Sequence, residues 1–222
     1  MNPDFWRERW SRGETRFHEQ HVNPFLGYYY GEVGPPVDKR SALRVFVPLC
    51  GKSCDLSWLA ENGYDVVGVE CSQLAVESFF SEQRIEFNKE SLGSHISYKA
   101  KKLEILLGDF FELQVEHIGS ITDIYDRASL IALPQAMRRE YVGKITQFQS
   151  PGTRTLLITL SYPQSEMAGP PFSVNDEEVS QLYGDKFTIE KLAAKNIIGD
   201  EPRFRDRGLS ALTETAYKLT RN

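Results

Sequence analysis

The sequence lacks a glycine-rich phosphate loop. A dinucleotide fold wants G-x-G-x-x-G, so that the backbone can crowd against a pyrophosphate. The turn Leu49-Cys50-Gly51-Lys52-Ser53 carries one glycine. The P-loop pattern fails too: Gly51-Lys52-Ser53 matches only its tail, because Phe46 stands where the first glycine belongs. No apolar run approaches the roughly 20 residues that span a bilayer. The opening MNPDFWRERW is charged from Asp4 onward, unlike a secretory leader. Basic charge is not in excess: the formal net charge of -5 excludes a general nucleic-acid binder, which must neutralise phosphates. Three cysteines, Cys50, Cys54 and Cys71, without framework spacing read as reduced thiols. Cys50 and Cys54 lie four apart, but no second C-x-x-C or paired histidine completes a tetrahedral zinc site, and packing explains them better. No Ser/His/Asp or Cys/His arrangement announces a nucleophilic enzyme. The expectation is a cytoplasmic protein with no metal, membrane segment or nucleic-acid partner.

What is present is organised around Arg44 to Cys71, RVFVPLCGKSCDLSWLAENGYDVVGVEC. Arg44-Val45-Phe46-Val47 is a buried parallel strand by composition, and Pro48 stops its ladder. Leu56, Leu59 and Ala60 fall at helical spacing, and Asn62-Gly63 supplies the stop. Asp65 to Glu70 is a second strand. Glu70 stands 19 residues after Gly51, where a nucleotide-binding βαβ unit places a carboxylate to accept both ribose hydroxyls. A ligand with a ribose but no diphosphate fits this unit, and S-adenosylmethionine (AdoMet) is the common one. An ordinary α/β unit with Glu70 solvated at a strand end is the alternative at this point. With 222 residues, 41% of them hydrophobic, the chain is expected to form one domain.

The N-terminus adds aromatics. Trp6 and Trp10 share a helical face, and with Phe5 and Phe17 they suit either core packing or a lid over a flat heterocycle. FWRERWSRGETRFHEQ, then RVFVPLCGKS, then DVVGVECS, resembles the thiopurine S-methyltransferase family, in particular its bacterial members, and the likeness continues to the C-terminus. That resemblance implies a class I AdoMet-dependent methyltransferase fold: a seven-stranded, mostly parallel sheet with one antiparallel strand and helices on both faces. It implies AdoMet as methyl donor, S-adenosylhomocysteine as product, and the thiol of an aromatic heterocycle such as a thiopurine as acceptor. Selenium or tellurium species are an alternative acceptor, and a non-catalytic AdoMet-binding regulator is a further alternative. The chain is expected to form a single domain over residues 1–222 with a helical lid at residues 1–31, and to be a monomer.

The resemblance also assigns residues. Trp6, Trp10 and Leu49 would wall the cofactor and Glu70 would hold its ribose. Asp109, with Phe110 beside it, follows the third parallel strand, where such enzymes place an acid against the adenine amino group; a helix N-cap at Asp109 is compatible with that. Ile121 to Asp126 is the fourth strand, and Arg127 after it takes the place of a family active-site arginine, which would face both the AdoMet cofactor and the acceptor. An ion pair with Asp126 or Glu70 is its alternative. Phe17 would stack on the acceptor ring. Arg203 aligns with a substrate-side arginine, against a solvated basic loop. Gly169-Pro170-Pro171-Phe172 resembles a family loop beside the active-site mouth, or is a stiff connector. No general base is expected, since methyl transfer to an acidic thiol needs alignment more than proton removal.

The remaining elements follow from pattern. Helices are predicted at His18–Tyr30 (disturbed at Pro24), Ser72–Gln83, Met137–Phe148 and from Asn175 to Gly184. Ile85 to Ser94 is predicted as loop and His95 to Gly108 as a hairpin. Strands are predicted at 153–161, 187–195 and 210–220.

Overall fold

The computed structural model describes residues 3–15, 19, 21–32 and 34–222. Residue contacts divide the chain into two compact units, Met1–Ile124 and Tyr125–Asn222. In chain order the helices are α1 (Pro3–Ser11), α2 (Pro24–Leu26), α3 (Val37–Arg40), α4 (Cys54–Glu61), α5 (Gln73–Gln83), α6 (Val115–Ile118), α7 (Gln135–Gln147), α8 (Asp176–Tyr183) and α9 (Pro202–Arg205). The strands are β1 (Arg44–Val47), β2 (Asp65–Glu70), β3 (Asn88–Leu92), β4 (His95–Lys99), β5 (Leu103–Leu107), β6 (Asp123–Arg127), β7 (Arg154–Ser161), β8 (Phe187–Asn196) and β9 (Thr213–Arg221). Their order across one sheet is β3-β4-β5-β2-β1-β6-β7-β9-β8.

The first unit is built on three parallel strands. β1 pairs with β2 from Arg44↔Asp65 to Val47↔Gly68, and β2 pairs with β5 from Val66↔Leu103 to Glu70↔Leu107. Val45, Phe46, Val66, Val67, Val69, Ile105 and Leu106 are wholly buried. Such strands are covered on both faces, which is why their sequences run apolar without alternation. α4 buries Leu56 and Leu59, and α5 buries Val76, Phe79 and Phe80. Both helices start on a serine: Ser53 Oγ accepts from the Asp55 amide and Ser72 Oγ from the Ala75 amide, each at 3.2 Å. In the second unit β9 runs antiparallel to β7 and to β8, and α7 and α8 bury Tyr141, Ile145, Val179 and Tyr183.

The strand count corrects the expectation of seven. The sheet has nine strands because residues predicted as loop form β3, an antiparallel partner of β4, which is itself antiparallel to β5. Antiparallel pairing is therefore not confined to one strand. β3 reads Asn-Lys-Glu-Ser-Leu and is exposed along most of its length. An edge strand with two wet faces has no hydrophobic period to reveal it, and its charges guard the open edge. Gly93 at φ +61 makes the turn into β4. Without that hairpin, seven strands remain, β5-β2-β1-β6-β7-β9-β8, with β9 antiparallel to both neighbours.

The expected helix over residues 18–30 is also corrected. Pro24 opens a helix instead of disturbing one: Asn23 Oδ1 accepts the Phe25 amide at 2.9 Å, and Pro24 sits in the first turn, where no amide is needed. A π-helical stretch, Gly27–Glu32, follows it, and α3 precedes β1. No helix among the described residues is long and apolar enough to cross a membrane.

Candidate active site

The turn after β1 is strained and clamped. Leu49 and Gly51 both have left-handed backbone, φ 45 and φ 54. For a leucine this costs on the order of 1 kcal/mol, so the surroundings must enforce it. They do so from β2. The Cys50 amide donates to the Val69 carbonyl at 3.0 Å, and the Gly51 amide donates to Glu70 Oε2 at 2.9 Å. The other carboxylate oxygen, Oε1, accepts the Ser72 amide at 2.8 Å and faces the Cys71 thiol at 3.4 Å. Glu70 is 5% exposed. Burial raises its pKa, and the Ser72 and Gly51 amides pull it back down by bonding the charged form. One carboxylate thus ties the first βα turn to the start of α5.

Lys52 Nζ pairs with Glu82 at 2.6 Å and Ser53 caps α4, so both residues of the apparent P-loop tail are engaged within the protein. Cys50 is a packing residue. A Cβ on Gly68 would come 2.8 Å from its sulfur, so this thiol fills the space that the glycine leaves. Burial raises the Cys50 pKa well above that of a free thiol, with the Glu70 charge adding to the effect, so it stays protonated. Among the described residues no group of His, Cys, Asp and Glu side chains comes together as a metal site.

α1 lies over this turn. Trp10, 5% exposed, has its Cζ2 atom 3.2 Å from where a Gly51 Cβ would be. Gly51 is therefore required twice, by its backbone angle and by the indole above it. Arg7 Nε donates to the Cys71 carbonyl at 3.1 Å, which anchors the helix beside Glu70. Trp6 packs edge-on against Phe5 at 5.2 Å. At the end of β5 the Gly108 amide donates to the Glu70 carbonyl at 2.9 Å, which brings Asp109 and Phe110 next to the same strand end. Asp109 caps a 3-10 turn by accepting the Phe111 amide at 2.9 Å, and Phe110 is buried.

Trp10, Leu49, Gly51, Glu70, Asp109 and Phe110 thus gather within the first unit, with Trp6 on the covering helix. Phe17 lies outside the described residues. Arg127 and Arg203 belong to the second unit. Arg127 ends β6, where Ala128 turns with φ 64. The neighbouring Asp126 is fully buried, and its carboxylate takes the Tyr141 hydroxyl at 2.7 Å and the Leu130 amide at 3.3 Å. Burial raises the Asp126 pKa to about 6 against those two bonds. Arg203, on α9, pairs with Glu201 at 2.9 Å. The Gly169–Phe172 loop is held by the Phe172 amide on the Ile131 carbonyl at 2.7 Å, and Phe172 lines a cavity of about 600 Å3 within this unit. The buried Arg138 in its wall donates to Glu178 at 2.6 Å and to the Ser173 carbonyl at 3.1 Å.

The first-unit arrangement fits AdoMet. Glu70 Oε2 keeps a lone pair beyond the one that Gly51 uses, as a ribose hydroxyl requires. The β1–α4–β2 unit with an acid at the end of β2 is the frame of a nucleotide-binding α/β fold. In keeping with that, the chain resembles the crystal structure of a Burkholderia thailandensis 1,6-didemethyltoxoflavin-N1-methyltransferase with S-adenosylhomocysteine bound, at TM-score 0.64 and 14% identity over 98% of this chain and 87% of that one. The chain belongs to the thiopurine S-methyltransferase family, whose model matches residues 1–222. It is 45% identical to the thiopurine S-methyltransferase of Pseudomonas fluorescens (strain SBW25) over 99% of both chains, and 41% identical to that of Shewanella baltica (strain OS185) over 100% of both. It is accordingly an AdoMet-dependent S-methyltransferase.

Sequence reasoning missed Arg7, which holds the covering helix, and the Ser72 amide, which shares Glu70. The first makes its bond to a distant carbonyl and the second is main chain, so neither leaves a residue pattern. It also missed His95, which packs against Gly108.

Proposed function

We propose that this enzyme methylates the thiol sulfur of an aromatic heterocycle of the thiopurine class, in one cytoplasmic, monomeric catalytic domain whose residues 1–31 act as a lid. AdoMet supplies an electrophilic methyl group, which the acceptor thiolate takes in line as the bond to the sulfonium sulfur breaks, leaving a thioether and S-adenosylhomocysteine. Glu70 accepts the ribose hydroxyls, Asp109 accepts the adenine amino group, and Phe110, Leu49, Trp6 and Trp10 wall the cofactor from water. Arg127 stabilises the acceptor's negative charge, because a guanidinium stays charged and offers several donors in one plane. Phe17 stacks on the acceptor ring and Arg203 lies on the acceptor side. No residue removes a proton, since a thiol on an electron-poor ring is already ionised.

The observation that carries this reading is the Glu70 carboxylate held between the Gly51 and Ser72 amides beneath Trp10. For Arg127 the support is its position. It ends a strand that runs parallel to β1 through Val45↔Asp123 and Phe46↔Ile124, and ligands of such sheets sit beyond the carboxyl ends of the strands. The test is transfer of radiolabelled methyl from AdoMet across a panel of aromatic thiols and chalcogen oxyanions. Labelled aryl thioethers are expected. Label confined to selenium or tellurium products, or no transfer at all, would overturn the thiol assignment.

A further inference from the structure

The β3–β4 hairpin lies outside the seven strands that such a fold needs, yet it sends one side chain to the cofactor end of the sheet. His95, at the start of β4, is 1% exposed. Its Nε2 lies 3.1 Å from the Asp109 carbonyl oxygen. A carbonyl only accepts, so Nε2 carries the proton and donates. Nδ1 is then an acceptor, and the Ser94 hydroxyl at 3.1 Å donates to it. The ring also lies flat against Gly108: a Cβ there would come 2.2 Å from His95 Cδ2. His117 packs against it with ring centroids 5.1 Å apart. Burial lowers the His95 pKa, which keeps the ring neutral and the donor–acceptor order intact.

The imidazole therefore fixes the Gly108–Asp109 main chain at two adjacent points. The Asp109 carboxylate is held from the other side by the Phe111 amide at 2.9 Å. Main chain and side chain of the adenine-facing acid are thus each secured by a separate partner. We infer that His95 is a positioning residue for adenine recognition: it acts through Asp109, and the β3–β4 hairpin serves this enzyme as the buttress that carries it. The inference rests on Asp109 meeting the adenine amino group, so its test must separate the two claims.

S-adenosylhomocysteine and S-inosylhomocysteine differ at the ring edge: an oxo group replaces that amino group, which turns a donor into an acceptor facing the Asp109 carboxylate, and N1 becomes an N–H donor. Calorimetric affinities of both are measured for the wild type, His95→Ala, His95→Gln and Ser94→Ala. The wild type is expected to prefer the adenosyl ligand by about 10- to 100-fold, the size of one hydrogen bond to a charged group. His95→Ala should bring the ratio below about fivefold. His95→Gln, which offers an amide donor in place of Nε2, should restore most of it. Ser94→Ala, an exposed change, should lower the ratio about threefold by freeing the ring to turn, and it reads the same claim should His95→Ala fail to fold. A wild-type ratio near one refutes the adenine contact of Asp109 itself. A clear wild-type preference that survives unchanged in His95→Ala or in Ser94→Ala refutes the role of His95 alone.

Discussion

The Gly51 amide and the Glu70 carboxylate, 19 residues apart in sequence, meet at 2.9 Å. This bond makes the two ends of one βαβ unit a single site. Glu70 accepts both the Gly51 and Ser72 amides; burial raises its pKa, and these main-chain donors pull it back by favouring the charged form. The main-chain donors keep the charge where an alcohol ligand can use it. The cost of burying that charge is offset by bonds that need no side chain.

Gly51→Ala tests the crowding in the turn. The added methyl meets Trp10 at 3.2 Å, and φ +54 is unfavourable for alanine by about 1 kcal/mol. The variant should unfold at a lower denaturant midpoint. Its tryptophan emission should also change as the indole moves, and its KM for AdoMet should rise more than its kcat falls. Unaltered emission and KM would mean that Trp10 does not close on this turn.

Asp126→Asn tests the buried acid at the end of β6. The Asp126 pKa is raised from 3.8 to about 6, so between these values the folded protein binds more protons than the unfolded chain. Its stability contribution therefore worsens as pH rises through this window and is constant above it. Asparagine carries no charge, so the variant's stability relative to wild type should improve between pH 4 and 7. At one pKa unit per 1.36 kcal/mol the change is roughly 2–3 kcal/mol. Denaturant melts at both pH values measure it. A pH-independent difference would show that Tyr141 and Leu130 fully satisfy the carboxylate.

Arg127→Ala should lower kcat/KM on an aromatic thiol by about tenfold or more, the worth of one charge-assisted hydrogen bond. The unfolding midpoint should change much less. Activity within twofold of wild type would leave Arg127 a purely structural role.

Much of the first unit could be read from the chain. β1, α4, β2 and α5 carry their own signals: apolar runs, helical spacing, a glycine stop, and an acid at a fixed distance from Gly51. The N-terminal tryptophans could be read as one helical face, and Trp10 does lie on Gly51. β3 escaped because its residues face water on both sides. The start at Pro24 escaped because a proline in the first helical turn looks like a break until its cap at Asn23 is seen. The engagement of His95 with Gly108 and the Asp109 carbonyl depends on a hairpin crossing back to β5, and a contact between main chain and a distant ring has no period or motif.

The most direct test of the central claim is calorimetric titration of S-adenosylhomocysteine into wild type and Glu70→Ala, with folding of the variant checked by its unfolding midpoint. The ribose hydroxyls lose a charged acceptor and the Gly51 turn loses its clamp, so affinity should fall by about 100-fold or more. Wild-type affinity in a folded Glu70→Ala protein would contradict the assignment of this turn as the AdoMet site.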